Sequence, residues 1–75
     1  MNIIIAGDGD VGFYLAKSLT ELGHSLTVID PDSELLKRLE SQSDLMTQVG
    51  DATSPMVLER AGVRSCDLFL SVLRT

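Results

Sequence analysis

The chain has 75 residues, 44% hydrophobic and 23% charged, and its 6 basic and 11 acidic residues give a formal net charge of -5. That length makes one small domain, apolar enough to fold and too apolar for a disordered segment. The acidic balance, with no basic run, argues against a nucleic-acid partner. No stretch approaches the roughly 20 apolar residues of a membrane span, so no direct membrane insertion is expected. The first residues lack a basic segment and a signal-length apolar run, which places the chain in the cytoplasm by default. The single cysteine, Cys66, fits a reducing compartment and reads as a small buried hydrophobe.

Ile3-Ile4-Ile5-Ala6 is β-branched and continuously apolar, as a strand covered on both faces should be. From Val11 the period becomes helical. Val11, Leu15, Leu19 and Leu22 fall in one arc, which predicts the buried face of a helix closed by Gly23. Phe13 lies outside that arc, open either to a ligand or partner or simply to solvent. Leu26-Thr27-Val28-Ile29 predicts a second strand, with His24 at its start as a surface residue. Asp30-Pro31-Asp32 then starts a helix carrying Leu35, Leu36 and Leu39, which ends in the polar residues Glu40 to Asp44. Leu45 to Val49 predicts a third strand stopped at Gly50. Ser54 and Pro55 supply an N-cap and first helical residue, Gly62 ends that helix, and Leu68 to Val72 is a fourth strand.

The order β-α-β-α-β-α-β predicts an α/β, Rossmann-like parallel sheet of four strands in the order 3-2-1-4 with three crossover helices. Residues 1–75 are expected to be the N-terminal part, about the first half, of such a nucleotide-binding domain. In this order two crossover helices lie on one face of the sheet and one on the other. One apolar face is therefore expected to need cover from a larger domain or from another chain.

Gly7-x-Gly9-x-x-Gly12 falls between the first strand and the first helix. There Gly7 would make the tight turn, Gly9 would let a pyrophosphate approach the backbone, and Gly12 would let the helix pack close to the sheet. Amides of the first helical turn, including those of Asp10 and Val11, then face the phosphates with the helix dipole behind them. The side chains of Asp8 and Asp10 are expected to point to solvent, with Asp8 weakening affinity. Asp30, 18 residues after Gly12, can accept from both ribose hydroxyls or can cap the second helix. Pro31 and Asp32 follow it with no arginine for a 2′-phosphate, which favours NAD or an adenosine nucleotide over NADP. After the third strand, Gly50-Asp51-Ala52-Thr53 lies where adenine would sit, and Asp51 can accept from the adenine amino group or cap a turn.

The stretches "IIIAGDGDVGFYLAKSL", "LTVIDPD", "VGDATSPMVLERAGV" and "CDLFLSV" together resemble the nucleotide-binding N-terminal domain of Trk-type potassium-uptake regulatory proteins, the TrkA-N or RCK N-terminal domain. The resemblance implies a regulatory module that binds NAD(H) or ATP/ADP and is not an enzyme. It also implies a homodimer or higher oligomer, held at the inner face of the plasma membrane through a membrane potassium transporter or channel subunit. Carried over by position, Gly7, Asp8, Gly9, Asp10, Val11 and Gly12 would surround the phosphates, Asp30 and Pro31 the ribose, and Gly50, Asp51 and Ala52 the adenine. Asp8 departs from the small or apolar residue common in the family, and Leu73 from a polar residue often found beyond the fourth strand. The competing reading is the cofactor half of an NAD-dependent dehydrogenase, which would need a general acid or base and a substrate domain. A methyltransferase also uses a glycine turn, but this glycine spacing favours a dinucleotide.

Overall fold

The computed structural model describes residues 1–7 and 10–72. Along the chain run β1 (Asn2–Gly7), α1 (Asp10–Glu21), β2 (Ser25–Asp30), α2 (Ser33–Gln42), β3 (Met46–Val49), α3 (Pro55–Ala61), a 3-10 turn (Val63–Ser65) and β4 (Leu68–Val72). All strand pairs are parallel, and the sheet order is β3-β2-β1-β4. The Rossmann-like α/β topology expected from the sequence is therefore present.

Alternation along the strands sorts the core into two layers. Ile3 and Ile5 of β1 and Leu26 and Val28 of β2 pack with Ala16 of α1 and Leu36 and Leu39 of α2. Ile4, Ala6 and Ile29 point the other way, toward the layer of α3, and are fully buried. The shortage of cover on that face thus does not fall at its centre. It falls on the edge strand β4, where Phe69 stays exposed on that face, as Leu68 does on the other. A close hydrogen-bonded pair fixes the start of that edge: the Asp67 amide donates to the Asn2 carbonyl, and the Asn2 amide to Asp67 Oδ2, each at 2.7 Å.

The buried side of α1 differs from the arc expected. Gly12 and Ala16 are its buried residues, with Phe13, Leu15 and Leu19 packed against the core, whereas Val11 and Leu22 are 62% and 73% exposed. The physical reason is approach distance: a helix lies closest to a sheet along its smallest side chains, so the glycine and alanine turn inward. Phe13 accordingly is no free aromatic. It packs against the core, and the Arg38 guanidinium of α2 lies over its ring, 5.9 Å from the centroid.

The helix ends follow the expected caps, with one change at each of two starts. Gly23, at φ +93, ends α1 in a Schellman arrangement: its amide donates to Thr20 and that of His24 to Leu19. His24 thus belongs to the cap, one residue before β2. Gly62 closes α3 in the left-handed conformation. Ser54 precedes α3 as its N-cap, but its hydroxyl makes no cap hydrogen bond. The cap of α2 is Asp32, not Asp30.

Candidate functional site

Register brings three turns to one end of the sheet. Ala6 pairs with Ile29, and Asp30 pairs with Val49, so Gly7, Asp30 and Val49 stand level across neighbouring strands spaced about 4.8 Å apart. The chain leaves the sheet at all three points. The first turn leads into α1, the second into α2, and the third runs from Gly50 toward α3.

Gly7 and Gly12 face each other across the first turn. A Cβ added at Gly7 would come 3.3 Å from the Gly12 Cα, and one added at Gly12 would come 3.4 Å from the Gly7 Cα. Gly7 does not have a positive φ, so it is held to glycine by this backbone-to-backbone approach and not by the tightness of a turn. The approach seats the first turn of α1 against the end of β1. Asp10 opens the helix as an acidic first-turn residue, where a carboxylate complements the dipole, and its side chain is exposed. Val11 is exposed beside it. Asp8 and Gly9 lie outside the described residues, as does Leu73.

Asp30 ends β2 and is the one buried charged residue among the described residues, 4% exposed. Its Oδ1 accepts the amide of Asp32 at 2.8 Å, which turns the chain out of the strand through exposed Pro31. Asp32 Oδ1 then accepts from the amides of Glu34 and Leu35, at 3.0 and 3.2 Å, and caps α2. Of the two carboxylates, Asp32 takes the cap of α2, and buried Asp30 instead accepts the Asp32 amide at the end of β2.

The third turn is tied to the second by the Gly50 amide, which donates to the Asp30 carbonyl at 3.1 Å. Asp51 is exposed, and its Oδ1 accepts both the amide and the hydroxyl of Thr53 at 2.8 Å. These bonds, the amide first and the hydroxyl second, hold the Asp51 carboxyl below its ordinary value of 3.8 against a slight opposing effect of desolvation. The Ser54 amide donates to the Asp51 carbonyl at 3.0 Å, closing a turn that leaves Ala52 half-buried. Thr53 was not singled out from the sequence. The Asp-x-Thr spacing, in which a carboxylate accepts two residues on, is the signal that identifies it.

A cavity of about 410 Å³ opens at the opposite end of the sheet, lined by Asn2, Ile4, Ser25, Thr27, Met46 and Cys66 among others. It contains none of the residues expected to bind a nucleotide. The end of the sheet where the three turns meet is the better candidate, because in open parallel sheets ligands bind outside the carboxyl ends of the strands. Cys66, at the cavity of the opposite end, is half-buried and donates its thiol to the Val63 carbonyl at 3.2 Å, short of the full burial expected.

Sheet order, crossovers and the three converging turns define a Rossmann-like α/β domain. The family model of the TrkA-N domain matches residues 3–75, and the chain belongs to that family. The Trk system potassium uptake protein TrkA of Halomonas elongata is 39% identical over 75 residues, covering 100% of this chain and 16% of that protein. A Trk system potassium uptake protein TrkA homolog of Archaeoglobus fulgidus is 40% identical over 72 residues, covering 96% of this chain and 16% of that protein. The chain therefore spans only 16% of the length of each of these relatives. Among solved structures, the Shewanella denitrificans Kef CTD in AMP-bound form is similar with a TM-score of 0.82 and 24% identity, over 100% of this chain and 44% of that one. That likeness is one of fold.

Proposed function

We propose that this chain is the N-terminal part of a nucleotide-sensing, non-catalytic module of a potassium transport system. Its ligand is NAD(H) or an adenine nucleotide such as ATP, ADP or AMP. The module works from the cytoplasmic side with a membrane potassium transporter or channel subunit, in a dimer or larger assembly. Nucleotide binding would favour one arrangement of that assembly over another, and the differential affinity would reach the membrane partner.

The observation that carries this reading is the placement of a buried carboxylate, Asp30, level with the Gly7–Gly12 approach and tied through its own carbonyl to Gly50. A phosphate group would meet the start of α1, a ribose the Asp30 carboxylate, and an adenine the turn of Gly50, Asp51 and Ala52. Pro31 and Asp32 follow Asp30 with no arginine between them, so a 2′-phosphate would meet a carboxylate. The names of the relatives, potassium uptake proteins, support the assignment to potassium transport.

Thermal denaturation with NADH, NAD, ATP, ADP, AMP and NADPH tests the proposal. A ligand present at 100 times its dissociation constant adds about 2.7 kcal/mol of stability. NADPH should stabilise least, and Asp30→Ala should remove the response while leaving the circular dichroism spectrum of the chain unchanged. Folded protein indifferent to all six nucleotides would reject the proposal.

A further inference from the structure

We propose that the outward side of α1 is a self-association surface on which a second copy of this chain docks its own α1, antiparallel and related by a two-fold axis. It specifies the assembly proposed above and does not depend on nucleotide binding.

At about 100° per residue, Val11, Tyr14, Ser18 and Leu22 fall within an arc of about 80°, roughly opposite the buried Gly12 and Ala16. Val11, Tyr14 and Leu22 are 62%, 68% and 73% exposed, and Ser18 is exposed between them. A solvated helix face is normally polar. This one carries large apolar side chains toward both ends and a small hydroxyl at its centre. That pattern is self-complementary: two such helices can cross closely at Ser18 while the Leu22 of each copy reaches Val11 and Tyr14 of the other. The charges along one border agree, since an antiparallel crossing near Ser18 sets Lys17 of one copy beside Glu21 of the other.

Continuation of this sheet would not cover the stripe. A parallel strand added beyond β4 would be reached by a right-handed crossover on the face occupied by α3, away from α1. One helix per copy buries less than the roughly 800 Å² per partner of a standard interface, so the contact is weak and depends on concentration.

Cysteine cross-linking tests the geometry in the 75-residue chain. In a Cys66→Ser background, Ser18→Cys places two thiols at the two-fold axis, whereas Lys37→Cys places them on the exposed side of α2. Mild oxidation should form the Ser18→Cys dimer at least about tenfold faster than the Lys37→Cys dimer, as proximity raises effective concentration. Adding Leu22→Glu should remove that advantage, with circular dichroism confirming an intact fold. Equal rates for the two cysteines, or a Ser18→Cys rate indifferent to Leu22→Glu, would overturn the proposal. The nucleotide response, read on the same proteins by thermal denaturation, separates the two proposals: selective cross-linking without a response leaves this one standing.

Discussion

The Gly50 amide donates to the Asp30 carbonyl at 3.1 Å, and the same glycine lies directly against Val57 of α3. A Cβ at Gly50 would stand 2.7 Å from Val57 Cγ2, and its φ is +150. Two constraints of different origin, one steric and one torsional, thus hold the residue that joins the second and third turns.

Gly50→Ala should therefore destabilise the chain by about 1 to 3 kcal/mol, through overpacking together with a φ that side chains resist. Val57→Ala in the same chain should recover part of the loss, because it removes the contact but not the torsional strain. Urea unfolding of the two single variants and the double variant reads the coupling, expected at about 0.5 to 2 kcal/mol.

Gly12→Val should cost about 2 kcal/mol or more, since the added Cβ already reaches contact with the Gly7 Cα at 3.4 Å and the two methyls beyond it must displace α1 from β1. Moving α1 off β1 should also weaken the nucleotide response. Gly23→Ala meets no atom within 4 Å and should cost only about 1 kcal/mol through its left-handed backbone, with nucleotide response retained. Thermal denaturation with and without nucleotide distinguishes the two.

Asp32→Ala should cost about 1 kcal/mol by leaving the Glu34 and Leu35 amides uncapped, and Asp32→Asn much less. Asp30→Asn keeps an oxygen for the Asp32 amide and so should change stability little, yet it should weaken nucleotide binding. Isothermal titration beside unfolding curves would separate the two carboxylates by role.

Asp51 provides a pH signature. Its carboxyl is depressed in the folded chain, so its contribution to stability is fully present above the unfolded value of about 3.9 and is lost as pH falls through the lower folded value. Thr53→Val removes the hydroxyl donor but keeps the backbone one. Carboxyl-carbon NMR titration should therefore place Asp51 below 3.8 in the native chain and closer to 3.8 in the variant.

Strands and crossovers were legible because β-branched apolar runs alternate with helical periods, and glycine or serine marks most ends. The fourth strand falls at Leu68–Val72 as read, and the others differ by a residue or so. The rotation of α1 was not legible. Periodicity counts large apolar residues, while the side of closest approach was set by Gly12 and Ala16. At the site, the three turns could be placed from topology, but the division of work between Asp30 and Asp32 could not. Both are carboxylates at a strand-to-helix junction, and only the extended backbone of Asp32, at φ -88 and ψ 99, directs its oxygen to the helix amides. The link between Asp51 and Thr53 needed the turn closed by Ser54 to bring the two together.

The central position of β1 bears on how the chain is made. Its pairing with β2 joins Asn2 to Ser25, whereas its pairing with β4 joins Ile3 to Leu68. At a synthesis rate of about 5 to 20 residues per second, the second neighbour leaves the ribosome roughly 2 to 9 seconds after the first. For that interval the Ile3-Ile4-Ile5 segment of the nascent chain has one open hydrogen-bonding edge. That makes the Ile3-Ile4-Ile5 segment a natural target for chaperone binding until β4 arrives.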